Sequence, residues 1–282
     1  MIDFEQYLDR FVKQAIAEDI GDGDHSSNCS IPAEAHGEMQ LIIKEAGVLA
    51  GVEVAQKVFT LVDASIQINL LLNDGQLVSP KDIAFKVSGP IRSLLRAERL
   101  ALNLMQRMSG IATKTYYYTT LIEGTKTKLL DTRKTTPNLR PLEKMAVKIG
   151  GGHNHRFGLF DMIMLKDNHI DFAGGVTQAI VKAKQYLSEN NLNIPIEVET
   201  RNFSEIGEAM TEGGILRIMF DNFSVEDTYK AVEQVNGQFE TESSGGITEK
   251  TIRAYAETGV DFISVGALTH SAVGLDMSLK AL

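Results

Sequence analysis

Six short apolar runs dominate the second half of the chain: KLLD, MIMLK, IEVE, RIMFD, FETES and FISVG, starting at residues 128, 162, 196, 217, 239 and 262. Each is followed by a polar or glycine-containing loop and usually by a helix-length segment. Short runs of this kind read as strands, and their alternation with helices makes the strand–helix units of a parallel sheet or barrel. The later spacings, 21, 22 and 23 residues, suit single units, whereas the first two, 34 each, leave room for extra loops. Six units permit an incomplete, irregular barrel or an open doubly wound sheet, and periodicity alone does not choose. Neither G-x-G-x-x-G nor the Walker pattern occurs, so the common dinucleotide and nucleoside-triphosphate signals are missing.

The first half reads differently. Phe4, Tyr7, Leu8, Phe11, Val12, Ala15 and Ile16 fall on one face of a helix over 4–18, and a polar loop over 19–28 follows. Strands are expected over 39–46, 66–72 and 83–87, with a helix over 52–62 and a turn at Asn73, Asp74 and Gly75. A long helix over 91–123 is expected to break near Ser109 and Gly110. With 282 residues, 43% of them hydrophobic, the chain has material for one large core or two modest ones. Its apolar stretches fall short of the roughly 18 to 20 residues of a membrane helix, and MIDFEQYLDRF has acids where a signal peptide has bases. A cytoplasmic protein is expected. A single cysteine, Cys29, allows neither an internal disulfide nor a thiolate zinc site.

The formal charge of −9 argues against non-specific binding to nucleic acid or an anionic membrane. Yet 126–169 holds nine Lys or Arg against four Asp or Glu, which marks either a solvated face or a site for an anionic ligand. If the runs are parallel strands, chemistry gathers at their C-terminal ends. Those ends carry Asp131, Arg133 and Lys134; Lys166, Asp167 and His169; Glu197 and Glu199; Asp221 and Asn222; Ser244, Gly245 and Gly246; and Gly266 and His270. One charged strand end is ordinary surface, but charged groups at four consecutive ends converge on one mouth.

Glu199 and Asp221, one strand–helix unit apart, form a carboxylate pair suited to magnesium carrying a polyphosphate or to sugar hydroxyls. Either alone is equally a helix cap or a lysine partner. Glu197, two positions before Glu199, is read as less well directed for that role. Ser244, Gly245 and Gly246 precede an expected helix from Thr248 and offer backbone N–H groups to a phosphate, or make a tight turn. Gly266 ends the next strand, where barrels often bind phosphate. Arg133, Lys134, Arg140, His155, Arg156 and Lys166 supply cations for a ligand with several anionic groups. Gly150 to Gly152 read as a phosphate loop or a helix terminator. His153 and His155 lack metal-helix spacing, so no zinc site is expected, and His25 reads as a turn residue.

The strings AERLALNLMQRMSGIAT, DTRKTTPNLRPLEKMAVKIGGGHNHR, MIMLKDNH, IEVET, MFDNF, SSGGIT and SVGALTHS, in this order and approximate spacing, resemble quinolinate phosphoribosyltransferase from about residue 17 to the C-terminus. The main departure is in length between Lys166 and Glu199. The resemblance implies an N-terminal α/β sandwich domain over 1–110, an irregular, incomplete α/β barrel over 111–271, and a last strand within 272–282 that returns to the first domain. It implies the reaction of quinolinate with phosphoribosyl pyrophosphate, with magnesium, to nicotinate mononucleotide, pyrophosphate and carbon dioxide in NAD synthesis. A homodimer is implied, with Arg99 supplied across the interface. By the same resemblance Arg133, His155, Arg156 and Lys166 match the quinolinate pocket and Lys134 the diphosphate. Glu199 and Asp221 match the ribose and magnesium site; Ser244, Gly245, Gly246 and Gly266 match the 5′-phosphate loops, with His270 the least firmly matched. Lys134, Lys166, Glu199 and Asp221 are the expected catalytic set. The competing readings are a related phosphoribosyltransferase acting on another acid, a barrel lyase using Lys166 as a Schiff-base amine, and a non-catalytic phosphometabolite-binding protein.

Overall fold

A computed structural model describes residues 3–282. These form two compact units, the first made of the chain up to Tyr116 with Thr135–Gly151 and Thr269–Leu282, the second of Tyr117–Lys134 and Gly152–Leu268.

The chain begins with α1 (Phe4–Ile20), whose N-cap Asp3 accepts the Gln6 N–H at 3.1 Å and which buries Leu8 and Val12. The expected polar loop contains a short helix, α2 (His25–Ser30), because the Asp24 carboxylate caps its first turn through the Ser27 N–H at 3.0 Å. Then come β1 (His36–Ile43), β2 (Gly47–Val48), α3 (Val52–Val62), β3 (Gln67–Leu70), β4 (Leu77–Val78), β5 (Ile83–Pro90) and α4 (Ile91–Leu121). The last strand, β12 (Met277–Ala281), pairs antiparallel with β1 from Met39↔Ala281 to Ile43↔Met277. It gives a four-stranded sheet in the order β12-β1-β5-β3, beside a two-stranded β2-β4 pair. Phe59 of α3 meets Phe85 of β5 edge-on, centroids 6.0 Å apart, in the core of this unit. Edge-to-face contact is the geometry that aromatic quadrupoles favour.

Helix α4 is unbroken. Ser109 faces inward, its hydroxyl accepting the Ala50 N–H at 2.9 Å and donating to the Ala50 carbonyl at 3.1 Å. A side chain on Gly110 would collide with the Val273 carbonyl, so this glycine serves close approach rather than a break. Helix α5 (Arg140–Ile149) ends at Gly150, whose N–H bonds the Ala146 carbonyl at 3.0 Å. Of the two readings of the glycine triplet, the structure shows the terminator.

The second unit contains all six expected strands: β6 (Lys128–Leu130), β7 (Ile163–Leu165), β8 (Ile196–Thr200), β9 (Arg217–Asp221), β10 (Glu240–Ser244) and β11 (Phe262–Ser264). They form one parallel sheet in the order β6-β11-β10-β9-β8-β7. Beyond β6, a single parallel bridge joins Leu130 to His153. No ladder joins β6 to β7 among the described residues, so the barrel is incomplete and irregular, as expected. Helices α6 (Asp167–Ala173), α7 (Val176–Glu189), α8 (Phe203–Glu212), α9 (Val225–Val235), α10 (Ile252–Glu257) and α11 (Ala267–His270) follow the strands. Because the strands are parallel, their C-terminal ends share one rim, and each side chain's direction follows from strand alternation.

Candidate active site

Lys166 stands immediately after β7 and caps α6, its N–H donating to His169 Nδ1 at 3.1 Å. Its Nζ reaches Glu199 Oε2, on β8, at 2.7 Å. The two side chains form an ion pair across neighbouring strands. Glu199 is 7% exposed. Asp221, at the end of β9, lies on the same strand face as Met219, the register partner of Glu199. The two carboxylates therefore share the interior face, one alternation step apart, with Lys166 offsetting the charge of one.

Asp221 Oδ2 accepts from Asn222 Nδ2 at 2.8 Å, and the Asn222 N–H donates to the Ser244 carbonyl at 2.9 Å. Gly245 and Gly246 have φ of +95° and +62°. A Cβ on Gly245 would strike Asn222, while the space beside Gly246 is open. The backbone from Ser244 to Gly246 is thus shaped as an open turn that glycine permits. The expected helix does not start at Thr248, because Thr248–Thr251 form a turn, with the Thr248 N–H on Thr251 Oγ1 at 3.0 Å, before α10. The anion-binding capacity here is that of a turn, not of a helix terminus.

Asp131, fully buried after β6, takes the His155 N–H at 2.8 Å and pins the His153–His155 segment to the sheet. That places Arg156 in a nearly closed site, its Nη1 donating to the Met162 carbonyl at 3.2 Å. Burial, and then the charge of Arg133, hold the Arg156 guanidinium below its usual range. Arg133 is half-buried and Lys134 exposed, with the Lys134 N–H on Thr132 Oγ1 at 3.0 Å. Two guanidiniums that repel one another in a partly dry pocket make a site for an anion.

His155 itself lies deeper. Its Nε2 is 3.1 Å from Glu197 and 3.3 Å from Glu242, and its Nδ1 takes the Arg156 N–H at 2.6 Å. Arg217 completes the cluster, 2.8 Å from Glu242 and 3.8 Å from Glu197. Glu197 is therefore not turned away from Glu199. Residues two apart on a strand share a face, so it points into the same interior one layer lower. Burial lowers the His155 proton affinity, but Glu197 and Glu242 outweigh it and push the imidazole up to about 9. Burial and then the charge of Glu242 raise Glu197. Because the Arg156 N–H is aimed at Nδ1, the hydrogen of the neutral ring is on Nε2, which lies between Glu197 and Glu242.

His155, Glu197 and Glu242 would also pass for a metal triad, their ligand atoms lying within 4.8 Å of one another. The chemistry does not fit. The Arg156 contact puts the ring hydrogen on Nε2, the atom a metal would need, and Arg217 already brings a cation to Glu242. Sequence reasoning named Glu197 but misjudged its direction, and it missed Arg217 and Glu242. The signal was present as Glu197 and Glu199 at alternate positions of IEVE, Arg217 at the head of the RIMFD run, and Glu240 and Glu242 at alternate positions of FETES.

The second unit thus brings together Lys166 with Glu199, Arg133 with Arg156, and Asp221 with the Ser244–Gly246 turn. Gly266 follows β11 and is partly exposed. Arg99 and His270 belong to the first unit. Arg99 is exposed on α4, and His270 is exposed at the end of α11 with Nδ1 2.5 Å from Ser271 Oγ.

The family model described as quinolinate phosphoribosyl transferase, C-terminal domain, matches residues 111–280, and that of the N-terminal domain matches residues 24–109. The chain is 44% identical over 285 residues to quinolinate phosphoribosyltransferase (decarboxylating) 1b of Nicotiana tabacum, covering 95% of this chain and 81% of that protein. It is 41% identical to the probable nicotinate-nucleotide pyrophosphorylase (carboxylating) of Bacillus subtilis, covering 96% and 92%. The solved nicotinate-nucleotide pyrophosphorylase of Francisella tularensis superposes with a TM-score of 0.92 at 42% identity, covering 98% of this chain and 96% of that one.

Proposed function

The chain belongs to the quinolinate phosphoribosyl transferase family, and from that premise we infer that it transfers phosphoribose from phosphoribosyl pyrophosphate to quinolinate, releasing pyrophosphate and carbon dioxide and leaving nicotinate mononucleotide for NAD synthesis. One observation carries the assignment of the pocket: Arg156 is buried and feels the charge of the half-buried Arg133. Quinolinate has two adjacent carboxylates, and bidentate guanidinium contacts neutralise them while aiming the ring nitrogen at the ribose C1.

Lys166 adds a third cation at the rim. As pyrophosphate departs, C1 becomes oxocarbenium-like, and the Glu199 or Asp221 carboxylate stabilises that charge. Lys134 faces the leaving diphosphate, and the Ser244–Gly246 turn with Gly266 receives the 5′-phosphate. Once the ring nitrogen is quaternary it withdraws electrons, so the neighbouring carboxylate leaves as carbon dioxide, and the electron pair left on ring carbon 2 takes a proton from water without a dedicated cofactor. Arg99 and His270 are assigned to substrate binding by the resemblance alone, Arg99 from the partner in a homodimer.

Glu199 and Asp221 are hard oxygen donors of the kind magnesium prefers, and the partial commitment of Glu199 to Lys166 and of Asp221 to Asn222 suits contact through water and the diphosphate. Magnesium, when bound, offsets the charge of the diphosphate. Cys29, the single cysteine, is exposed. No helix among the described residues is long and apolar enough to cross a membrane.

The deciding experiment is release of carbon dioxide from quinolinate labelled in its ring-2 carboxyl, with phosphoribosyl pyrophosphate and magnesium, beside a nicotinate control followed by nucleotide formation. Release requiring all three components is expected. Nucleotide from nicotinate with no release from quinolinate would assign a sister specificity and remove the dicarboxylate pocket.

A further inference from the structure

The buried cluster beneath the anion pocket has no part in the chemistry above. Arg217 is held on three sides: Nε and Nη2 reach Glu240 Oε2 at 3.1 and 2.9 Å, Nη1 reaches Glu242 Oε2 at 2.8 Å, and the Phe262 ring lies 4.0 Å away. Its single charge is thereby shared between Glu240 and Glu242. Glu197 has Arg217 only at 3.8 Å, and neither of its oxygens takes a hydrogen bond, so its nearest attachment is the 3.1 Å ion-pair approach of His155 Nε2. The far side of the same ring receives the Arg156 N–H at 2.6 Å.

The imidazole is therefore a strut. One edge rests on carboxylates from β8 and β10, and the other on the backbone of the residue whose guanidinium faces Arg133. The His155 backbone is tied separately to Asp131 at 2.8 Å, so the main chain is placed on the sheet while the ring sets the next peptide. Such a strut matters because burial and the Arg133 charge both disfavour the Arg156 guanidinium, against the opposing charges of Glu197 and Asp161. Without a ligand, a guanidinium beside another relaxes toward solvent unless its backbone is fixed. We propose that Glu197 and Glu242 are positioning residues of the transfer reaction, acting through the His155 ring to hold Arg156 in the pocket for the carboxylate-bearing substrate. This rests on the function inferred above. On this account His155 serves the substrate through Arg156, and its two ring nitrogens are committed to protein groups.

The test separates the two substrates. Steady-state constants are measured for wild type, Glu197→Gln and Glu242→Gln with quinolinate and phosphoribosyl pyrophosphate varied in turn, and a thermal melt of each variant reports folding. The expected result is a KM for quinolinate raised about tenfold, the effect of weakening one charge-assisted hydrogen bond, with the KM for phosphoribosyl pyrophosphate within about twofold of wild type. A purely structural role lowers the number of active molecules, so kcat falls with both KM values unchanged, and that outcome overturns the proposal. If an amide variant does not accumulate folded, Glu197→Asp and Glu242→Asp, which withdraw the carboxylate from the ring by one methylene, are measured in the same way and read by the same criterion. Wild type inactive on quinolinate would remove the assigned reaction instead; active wild type with unshifted variants removes only the strut.

Discussion

Arg133 and Arg156 bring two positive charges into one partly dry pocket, an arrangement whose cost a dianionic ligand relieves. Arg133→Ala is expected to raise the KM for quinolinate and to lower kcat/KM by about 2 to 4 kcal/mol in transition-state terms, since a substrate carboxylate is then left unpaired away from water. Near wild-type kinetics in that variant would take Arg133 out of the pocket. His155 titrates in the opposite sense from an acid. Its folded value of about 9 lies above the ordinary imidazole value of 6.5, so its contribution to stability is full below pH 6.5 and is lost as pH rises through 9. Between pH 7 and pH 10 the Tm should fall on the order of 5 °C further in wild type than in His155→Gln. Parallel pH profiles of the two proteins would refute this linkage. The rim cations and the Glu199–Asp221 pair were legible because charge at the ends of apolar runs stands out. Glu197 was misdirected by a misread alternation. Arg217 and Glu242 escaped because a buried ionic cluster leaves, in sequence, the same alternating polar pattern as a half-exposed strand.

At the scale of elements, six strands were readable from apolar runs alone, since strands covered on both faces are short and nearly continuous in character. The misses have local causes. Asp24 converts a polar loop into α2 by capping it, and the Thr248–Thr251 turn delays α10 to Ile252. In α4 the Ser109–Gly110 pair looked like a break, but its meaning lies in distant neighbours, Ala50 and Val273, that local propensity does not see. This yields a prediction with an unusual sign. Gly110→Ala improves intrinsic helix propensity by about 1 kcal/mol, yet it drives a methyl group into the Val273 carbonyl. Overpacking of that kind costs about 1 to 3 kcal/mol, so a net loss of stability is expected in urea denaturation. A variant as stable as wild type, or more so, would show that the 273–274 segment yields.

Arg99, exposed on α4, is assigned to the site by the resemblance and not by any contact within its own chain. The resemblance supplies it from a second copy, which makes the assembly part of the proposed site. In the proposed homodimer, closed two-fold symmetry would give each site one Lys166 from its own chain and one Arg99 from the partner. Arg99→Ala and Lys166→Ala should each be inactive. When the two variants are mixed, dissociated and reassociated at random, half of the dimers pair one of each. In such a pair one site combines both defects, while the other combines intact Lys166 with intact Arg99. About one quarter of wild-type activity should therefore return from two inactive proteins, as the symmetry requires. Size-tagged subunits would verify that mixed dimers formed. Mixed dimers without recovered activity would mean that Arg99 acts within its own chain or not at all, and the trans-subunit site would have to be abandoned. Recovery of that size would place the functional unit at the dimer, because no single chain in the mixture carries both residues.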